Sequence, residues 1–402
     1  MSCIHAGTAG STLRARPWIY VLFGLLVAAV FSGCDGRPAA QPDRAQVKAY
    51  SQRGYRPDQR YETVEAQDTW RLRAGSVDIS LLTPATPGHY PLVVYLPGLG
   101  ESAQAGALWR HAWAQAGYAV LAAQATEYGP SLWASNRARA GEFYDIAKAA
   151  FSPPALAIRT QILAETLEEA ARREQDGHMP ALANVDLTRI AIAGFDLGAQ
   201  TAMIAAGESV RGVAPPSLPE AVKCVIALSP YADFSGMGLK SNFQPIRLSV
   251  LSVTSSLDTD AYGLVTSAGI RRAPFQDMPA GGKYLLLLSI ASHSALAGSA
   301  SSAEHAGKSR PKGFEAAMEE ANVAGDESAN PAGERPSERR QRQGGAETGR
   351  GGAQLRAKEQ AQVEAVTTAY LDAMVKDDSI AIEWLTKDAK RWLGESVQLM
   401  SK

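Results

Sequence analysis

The sequence predicts an α/β fold with a mostly parallel sheet that helices cover on both faces. Three observations predict it. Short strand-like runs alternate with helix-like stretches along the chain. A five-residue turn with glycine at each end, 194–198, follows one of the strand-like runs. Of the 402 residues, 46% are hydrophobic, which is enough to fill a large core.

The predicted strands lie on both sides of this turn. The first alternates polar and apolar residues, whereas the later ones are apolar runs, as expected for strands buried on both faces. A helix is predicted over 154–174, where apolar residues recur at helical spacing beside a charged face. In chain order the predicted strands cover 76–82, 91–96, 117–124, 189–193, 222–228, 246–254 and 284–290.

The turn Gly194-Phe195-Asp196-Leu197-Gly198 has the shape of a nucleophile elbow. Glycines at its two ends let the strand and the helix approach closely, so that the central side chain, Asp196, projects outward. The amide of Leu197 then lies at a helix N-terminus, where it could bind a developing oxyanion. The elbow therefore predicts Asp196 at the position of a nucleophile.

Three further segments complete a candidate site. The strand at 91–96 ends in a Gly-rich loop, in which the amide of Leu99 is the expected second oxyanion donor. Asp258 follows the strand at 246–254, and His293 follows the strand at 284–290. The chain order is therefore nucleophile, acid, histidine. Two other acids stay open, since Asp260 lies two residues further on and Asp233 follows the preceding strand.

On these residues the chain resembles the α/β-hydrolases, specifically the branch of dienelactone hydrolases and platelet-activating-factor acetylhydrolases. The resemblance covers about residues 77–298 and the last helices. It implies the α/β-hydrolase fold, hydrolysis of an ester-like bond, and the roles of nucleophile for Asp196, acid for Asp258 and base for His293. The chain departs from that branch at residue 196, because the branch carries Ser or Cys there.

Aspartate at this position leaves three interpretations open. Asp196 could serve an ester hydrolase, or the chain could be an inactive binding or scaffold protein that keeps the fold. In relatives that open epoxides or displace halide, aspartate attacks saturated carbon and forms an alkyl ester, which water activated by histidine then hydrolyses. Those relatives carry a cap of several helices. Only about fifteen residues separate Tyr231 from the next predicted strand, so no large cap domain is expected.

The remaining residues indicate few ligands. Aromatic residues could shape a substrate pocket at the mouth of the site or simply pack there. We expect a small-molecule substrate and no metal, nucleotide or other cofactor, since no Cys/His cluster, Walker loop or dinucleotide fingerprint occurs. A formal net charge of −1 gives no electrostatic reason to expect nucleic acid. The aromatic residues are Tyr128, Trp133, Tyr231 and Tyr262.

The N-terminus predicts a membrane tether. Arg14 and Arg16 precede an uncharged apolar run that ends at Cys34, which resembles a bacterial lipoprotein signal over 1–33 with Cys34 as the lipidated residue. An uncleaved anchor is the alternative, although the run is short for a membrane span. Either way the folded domain is expected outside the cytoplasm, on the periplasmic side, behind a flexible tether at 34–60.

Composition divides the rest of the chain. Residues 61–298 form the expected hydrolase domain, in which Cys224 is a buried strand thiol. Residues 299–360 are rich in Ala, Gly, Ser, Glu and Arg, so we expect a disordered insertion. Helical spacing returns over 361–402, where we expect helices that pack on the hydrolase domain.

Overall fold

A computed structural model describes residues 44–232, 239–299 and 357–402 of the chain. The expected signal at 1–33, Cys34, Asp233 and nearly all of the expected insertion lie outside these ranges. The described residues from Val47 onward form one compact unit. No helix in the described ranges has both the length and the apolarity needed to cross a membrane.

One sheet of nine strands forms the centre of the described chain, in the order β1-β2-β4-β3-β5-β6-β7-β8-β9. The six strands from β4 to β8 in this order are parallel, and β1, β2 and β9 join the edges as antiparallel strands. The predicted α/β class with a mostly parallel sheet is therefore confirmed. The strands are β1 (Thr63–Arg71), β2 (Ser76–Pro84), β3 (Tyr90–Leu96), β4 (Ala119–Ala125), β5 (Val185–Phe195), β6 (Val222–Leu228), β7 (Ser249–Leu257), β8 (Lys283–Ser292) and β9 (Gln398–Ser401).

Helices connect most of the parallel strands. Short 3₁₀ segments, among them Thr126–Tyr128, Pro130–Ala134 and Ala268–Arg272, lie in the loops, and a π-helical turn spans Trp384–Asp388. The α-helices are α1 (Arg44–Gln52), α2 (Ala107–Gln115), α3 (Asn136–Arg139), α4 (Phe143–Ala150), α5 (Pro153–Asp176), α6 (Leu197–Ala206), α7 (Leu239–Phe243), α8 (Ala273–Asp277), α9 (His293–Leu296), α10 (Ala357–Val375), α11 (Ser379–Glu383) and α12 (Ala389–Leu393).

Both faces of the sheet are buried. Side chains alternate along a strand, so Leu92 and Val94 of β3 join the core that α5 and α6 cover, whereas Val93 and Tyr95 join the core under α2 and α10. Continuous apolar runs in the central strands are the consequence of this double burial.

Two edge strands were not predicted from the sequence. β1 reads TVEAQDTWR and is mostly exposed, because an edge strand needs an apolar side chain only where it meets the core, here at Trp70. β9 has only four residues and pairs with β8. Both strands are too polar or too short to give a clear alternating pattern.

The compact unit begins before residue 61, although residues 34–60 were expected to be a flexible tether. Tyr50 of α1 stacks on Trp392 of α12 with ring centroids 4.6 Å apart. The Tyr55 hydroxyl donates to Asp372 of α10 over 2.8 Å. In turn, α10 lies against strands β5 to β8, so the C-terminal helices cover the sheet and hold the segment around Tyr50 and Tyr55.

Candidate active site

The elbow joins β5 directly to α6. Asp196 lies between the two elements with φ 51° and ψ −114°, a backbone conformation that costs energy for a residue other than glycine. The strand and the helix are so close that a Cβ on Gly194 would overlap the backbone of Gly198, and one on Gly198 would overlap the carbonyl of Leu96. The two glycines are therefore what allows the strained turn to form.

Asp196 faces the site and does not cap its own helix. Aspartate at the N-cap usually accepts from amides of the first turn, but Asp196 makes no such bond. Its Oδ2 accepts from the amide of Leu99 over 3.4 Å, and its Oδ1 lies 3.6 Å from Nε2 of His293. The Leu197 amide is the first of α6 and has no partner within the helix.

His293 starts α9 immediately after β8, and its other ring nitrogen meets the acid. Nδ1 of His293 lies 2.8 Å from Oδ1 of Asp258. The structure thus brings together Asp196, His293 and Asp258 in one row, and it places the Leu99 amide at the far end of that row.

Asp258 is fully buried and well supplied with donors. It accepts from the Ser229 hydroxyl at 2.6 Å and the Thr254 hydroxyl at 2.7 Å, and Nε of Arg271 lies 3.2 Å from its Oδ1. Burial raises the pKa of Asp258, but the hydrogen bond with His293 and the charge of Arg271 outweigh burial and hold it below the ordinary value. Asp258 is therefore ionised at neutral pH.

Asp260 has a different task. Its carboxylate accepts from the backbone amides of Tyr262 at 2.7 Å, Leu264 at 3.1 Å and Val265, which closes its own loop. No bond joins Asp260 to His293 in the described chain, and Asp233 lies outside it. Among the described carboxylates, the geometry therefore favours Asp258 as the partner of His293.

Sequence reasoning missed Ser229, Thr254 and Arg271. Ser229 directly follows β6 with φ 59°. Arg271 is 1% exposed, although it stands in an Arg-Arg pair that is typical of a protein surface. Nη1 of Arg271 donates to the carbonyls of Ser229 at 2.9 Å and of Pro230 at 3.2 Å. The only available signal was the place of Ser229 at the carboxyl end of a parallel strand, where sites in open α/β sheets form.

A buried glutamine holds the loop that carries Leu99. Nε2 of Gln124 donates to the carbonyls of Gly98 at 2.9 Å, Glu101 at 2.8 Å and Tyr128 at 3.1 Å. The Glu101 carboxylate accepts from the amide of Gly98 over 2.8 Å. Such fixed donors lose little free energy to reorganisation when charge develops, as an oxyanion site requires.

Residues 126–152 include Tyr128 and Trp133, two of the aromatic residues that the sequence singled out, and Phe151, which contacts a third. Trp133 stacks on Tyr262 with ring centroids 5.5 Å apart, and Phe151 lies 4.6 Å from the ring of Tyr231. The Tyr128 ring lies 5.1 Å from Cζ of Arg159. Asp196 is 4% exposed and the His293 side chain 11%, so the site is nearly closed to solvent.

Arg159 adds a buried positive charge near the elbow. Its Nε donates to Thr201 of α6 over 3.1 Å, and within the described chain its Nη1 has no hydrogen-bond partner. Burial lowers the pKa of Arg159 to about 10, against the opposing effects of Tyr128 and Asp196. The guanidinium therefore stays charged at neutral pH.

Two other sequence expectations concern Cys224 and metals. Cys224 is buried in β6, and burial raises the pKa of its thiol to about 12, which makes it unreactive at neutral pH. In the described ranges, no three His, Cys, Asp or Glu side chains are grouped so that they could hold a metal ion.

The site is therefore a row of Asp196, His293 and Asp258, with backbone amides at the end formed by Asp196. No model of a known protein family matches the chain, and no curated protein matches it either.

Proposed function

We propose that this chain is an enzyme of the α/β-hydrolase fold that hydrolyses an ester-like bond with Asp196 as a covalent nucleophile. One observation carries the proposal: the two carboxylate oxygens of Asp196 point at two different groups. Oδ1 lies 3.6 Å from Nε2 of His293, and Oδ2 lies 3.4 Å from the amide of Leu99. One oxygen can attack while the other is held where negative charge will later develop.

In the first step, Oδ1 of Asp196 attacks the carbon of the ester-like bond. A new oxygen–carbon bond forms, and the leaving oxygen departs with the electron pair of the broken bond. An ionised carboxylate needs no base for this attack, unlike serine. Attack at saturated carbon gives an aspartyl ester, and attack at an acyl carbon gives an anhydride.

In the second step, water regenerates the carboxylate. His293 takes a proton from water through Nε2, and the water oxygen attacks Cγ of Asp196. Negative charge then develops on Oδ2, which already faces the Leu99 amide, with the Leu197 amide as the second donor. Collapse of this intermediate releases the product oxygen, which receives the proton from His293, and the carboxyl group left on Asp196 loses the second proton of the water to solvent. Asp258 keeps the ring oriented and balances its charge while it carries the proton.

The other two interpretations remain as alternatives. A binding or scaffold role is favoured by the near closure of the site, because the carboxylate of Asp196 fills the space between the base and the oxyanion donor. Epoxides or carbon–halide bonds would follow the same two steps. Against them, only the short helix α7 lies between β6 and β7 in the described chain, where those relatives carry a cap.

A substrate panel combined with trapping tests the proposal. Aryl esters, epoxides and haloalkanes are offered to the wild type, Asp196→Ala, Asp196→Ser and His293→Gln. We expect ester hydrolysis by the wild type and none by Asp196→Ala, and we expect His293→Gln to accumulate an adduct on the peptide that contains Asp196. A single turnover in H₂¹⁸O should label the carboxylate of Asp196 in the wild type.

Each alternative has its own result in this experiment. An inert wild type together with an active Asp196→Ser would indicate an inactive hydrolase scaffold and would contradict the proposal. Turnover of epoxides or haloalkanes but not of esters, with the same adduct and label, would change the assigned substrate class from esters to these compounds. Label in the product without label in Asp196, together with no adduct in His293→Gln, would exclude the covalent step.

We also propose that a lipid on Cys34 holds the domain at a membrane, outside the cytoplasm. Support comes from the charged and apolar segments ahead of Cys34. Membrane fractionation of the full chain and of Cys34→Ser tests this. We expect the wild type in the membrane fraction and Cys34→Ser shifted in mobility by loss of the lipid; equal mobility of the two would contradict lipidation.

A further inference from the structure

His293 lies between two carboxylates. Asp258 is 2.8 Å from its Nδ1, and Asp196 is 3.6 Å from its Nε2. Negative charges at these distances favour the protonated imidazolium. A ring that already carries both protons cannot take a third from water, so two carboxylates alone would oppose the base that hydrolysis requires.

Arg271 brings a positive charge to the same ring. Its Nη2 lies 3.3 Å from Nδ1 of His293, and its Nε lies 3.2 Å from Oδ1 of Asp258. A guanidinium carries its positive charge at neutral pH. With Nδ1 of His293 donating to Asp258, the close Nη2 contact is a charge near the ring and not a second hydrogen bond.

The guanidinium is fixed by bonds that leave its charge beside the ring. Nε donates to the carbonyl of Asp258 over 2.8 Å, and Nη1 donates to the carbonyls of Ser229 and Pro230. Arg271 thereby spans the ends of β6 and β7 in a buried place where solvent screens little. A side chain needed only for packing would not have to direct a third nitrogen at His293.

We infer that Arg271 is a positioning residue that keeps His293 able to accept a proton although two carboxylates flank it. The inference rests on the proposed function only in assigning His293 the role of base. Arg271 is fixed on the same side of the ring as Asp258 and offsets the charge of that carboxylate, so that Asp196 is the one carboxylate that faces the catalytic nitrogen.

The other groups around the ring do not replace Arg271. The Ser229 hydroxyl lies 2.8 Å from Nδ1 but is neutral, and the Phe195 ring lies 4.9 Å away. Asp260 is a further anion, with its Oδ2 3.9 Å from Nη2 of Arg271, and its carboxylate is occupied by loop amides. Arg159 interacts electrostatically with Asp196, and its Nε donates to Thr201 of α6.

The test is an NMR titration of the His293 imidazole in the full chain with ¹⁵N-labelled histidine. The His293 signal is assigned by its loss in His293→Gln. We expect Arg271→Met to raise the titration midpoint of His293 by about 1–3 pH units, the range that a close charge produces. Arg271→Lys should keep most of the wild-type midpoint, because the charge remains. Arg272→Met is the matched control, since Arg272 is exposed, and it should leave the midpoint unchanged.

The titration needs no turnover, so it separates the two proposals. A raised midpoint in a protein that hydrolyses nothing would support the role of Arg271 and contradict the proposed function. An unchanged midpoint in folded Arg271→Met would overturn the inference whatever the activity. Where activity is present, the rising limb of the kcat/KM profile should move with the midpoint, whereas a purely structural role would lower the rate equally at all pH values. Should Arg271→Met not fold, Arg271→Gln, which keeps donors for the two carbonyls, carries the same expectation.

Discussion

The two halves of the site differ in how firmly they are assembled. In the acid half, Asp258 meets Ser229, Thr254 and His293 at 2.6 to 2.8 Å. In the nucleophile half, Asp196 has contacts of 3.4 Å and 3.6 Å. The contacts of Asp258 are short and fully formed, whereas Asp196, the proposed nucleophile, keeps longer contacts that a bound group could replace. Under the proposed function, bond formation would take place in the half with the weaker contacts.

Two buried carboxyl groups repeat this contrast. Asp258 in the acid half has a lowered pKa because its donors and Arg271 outweigh burial. Glu208 follows the elbow helix α6, accepts only from Gln200 at 3.1 Å, and its Oε2 has no partner in the described chain. Burial raises the pKa of Glu208 to about 8. Asp258 is therefore a paired anion, whereas Glu208, which follows the elbow helix, is a carboxyl group that is mainly neutral at pH 7.

The largest expected effect comes from removing the charge of the acid. Asp258→Asn should lower kcat/KM about 10⁴-fold, because an amide at this position fixes the wrong tautomer of the histidine. Asp260→Asn should cost far less, since Asp260 binds its own loop. Steady-state kinetics of both variants measures this. A greater loss in Asp260→Asn would assign the acid to Asp260 and break the distinction between the two halves.

Next in size is the elbow itself. Gly198→Ala should lower the free energy of unfolding by about 3 kcal/mol or more, because the new Cβ meets the backbone carbonyl of Leu96, which cannot move aside. Gly269→Ala is the control, as the nearest atom to a Cβ there is 3.6 Å away. Denaturant unfolding measures the stability of both variants. Equal stability would show that the backbone at the elbow can move to accept a Cβ at residue 198.

The pH dependence of Glu208 comes third. The pKa of Glu208 is higher in the folded than in the unfolded chain. Its contribution to the free energy of unfolding is therefore fully present below the unfolded pKa of about 4.3 and is lost as pH rises through the folded pKa of about 8. Glu208→Gln stays neutral and should gain stability over the wild type from pH 5 to pH 8.5, by on the order of 3 kcal/mol. Asp258 has the opposite sign, since its stabilisation is present above about pH 4 and is lost on acidification.

Denaturant unfolding at pH 5 and pH 8.5 measures the Glu208 effect. Glu168→Gln serves as the control because Glu168 is mostly exposed and pairs only with exposed Arg73. A gain that is the same at both pH values would mean that Glu208 does not change its charge in this range.

The smallest effect is expected at the loop of the nucleophile half. Gln124→Leu removes the Nε2 donor from the carbonyls of Gly98, Glu101 and Tyr128, although Gly98 and Tyr128 each keep a backbone amide donor. The change should cost about 1–3 kcal/mol of stability. It should also lower kcat, because the Leu99 amide is no longer held in place. Gln161→Leu removes a part-buried bond from the exposed Gln161 to Glu165, which also accepts from Arg73 and from the amide of Ala74, and should cost less than about 0.5 kcal/mol. A loss of stability without a loss of kcat would show that Gln124 stabilises the loop around Leu99 but that catalysis does not depend on this support.

How much of this could be predicted from the sequence depends on the range of each interaction. The elbow, Leu99, Asp258 and His293 follow strand ends, and a local pattern of strand, turn and helix suffices to place them. Arg271 and Ser229 could not be found in this way, because their partners are brought together only by the order of β6, β7 and β8 in the sheet. β1 escaped prediction for a different reason, as an exposed edge strand does not need the apolar pattern that reveals a strand.

The contacts of Tyr50 and Tyr55 have a mechanical consequence. A pull on the chain ahead of residue 47 would load these two side chains first, and through them Trp392 and Asp372 in the C-terminal helices. These contacts of Tyr50 with α12 and of Tyr55 with α10 would take up force before β1, which follows them in the chain. The elbow and the histidine lie on other elements, so a protein held by its N-terminus could bear tension there while the geometry of its site stayed the same.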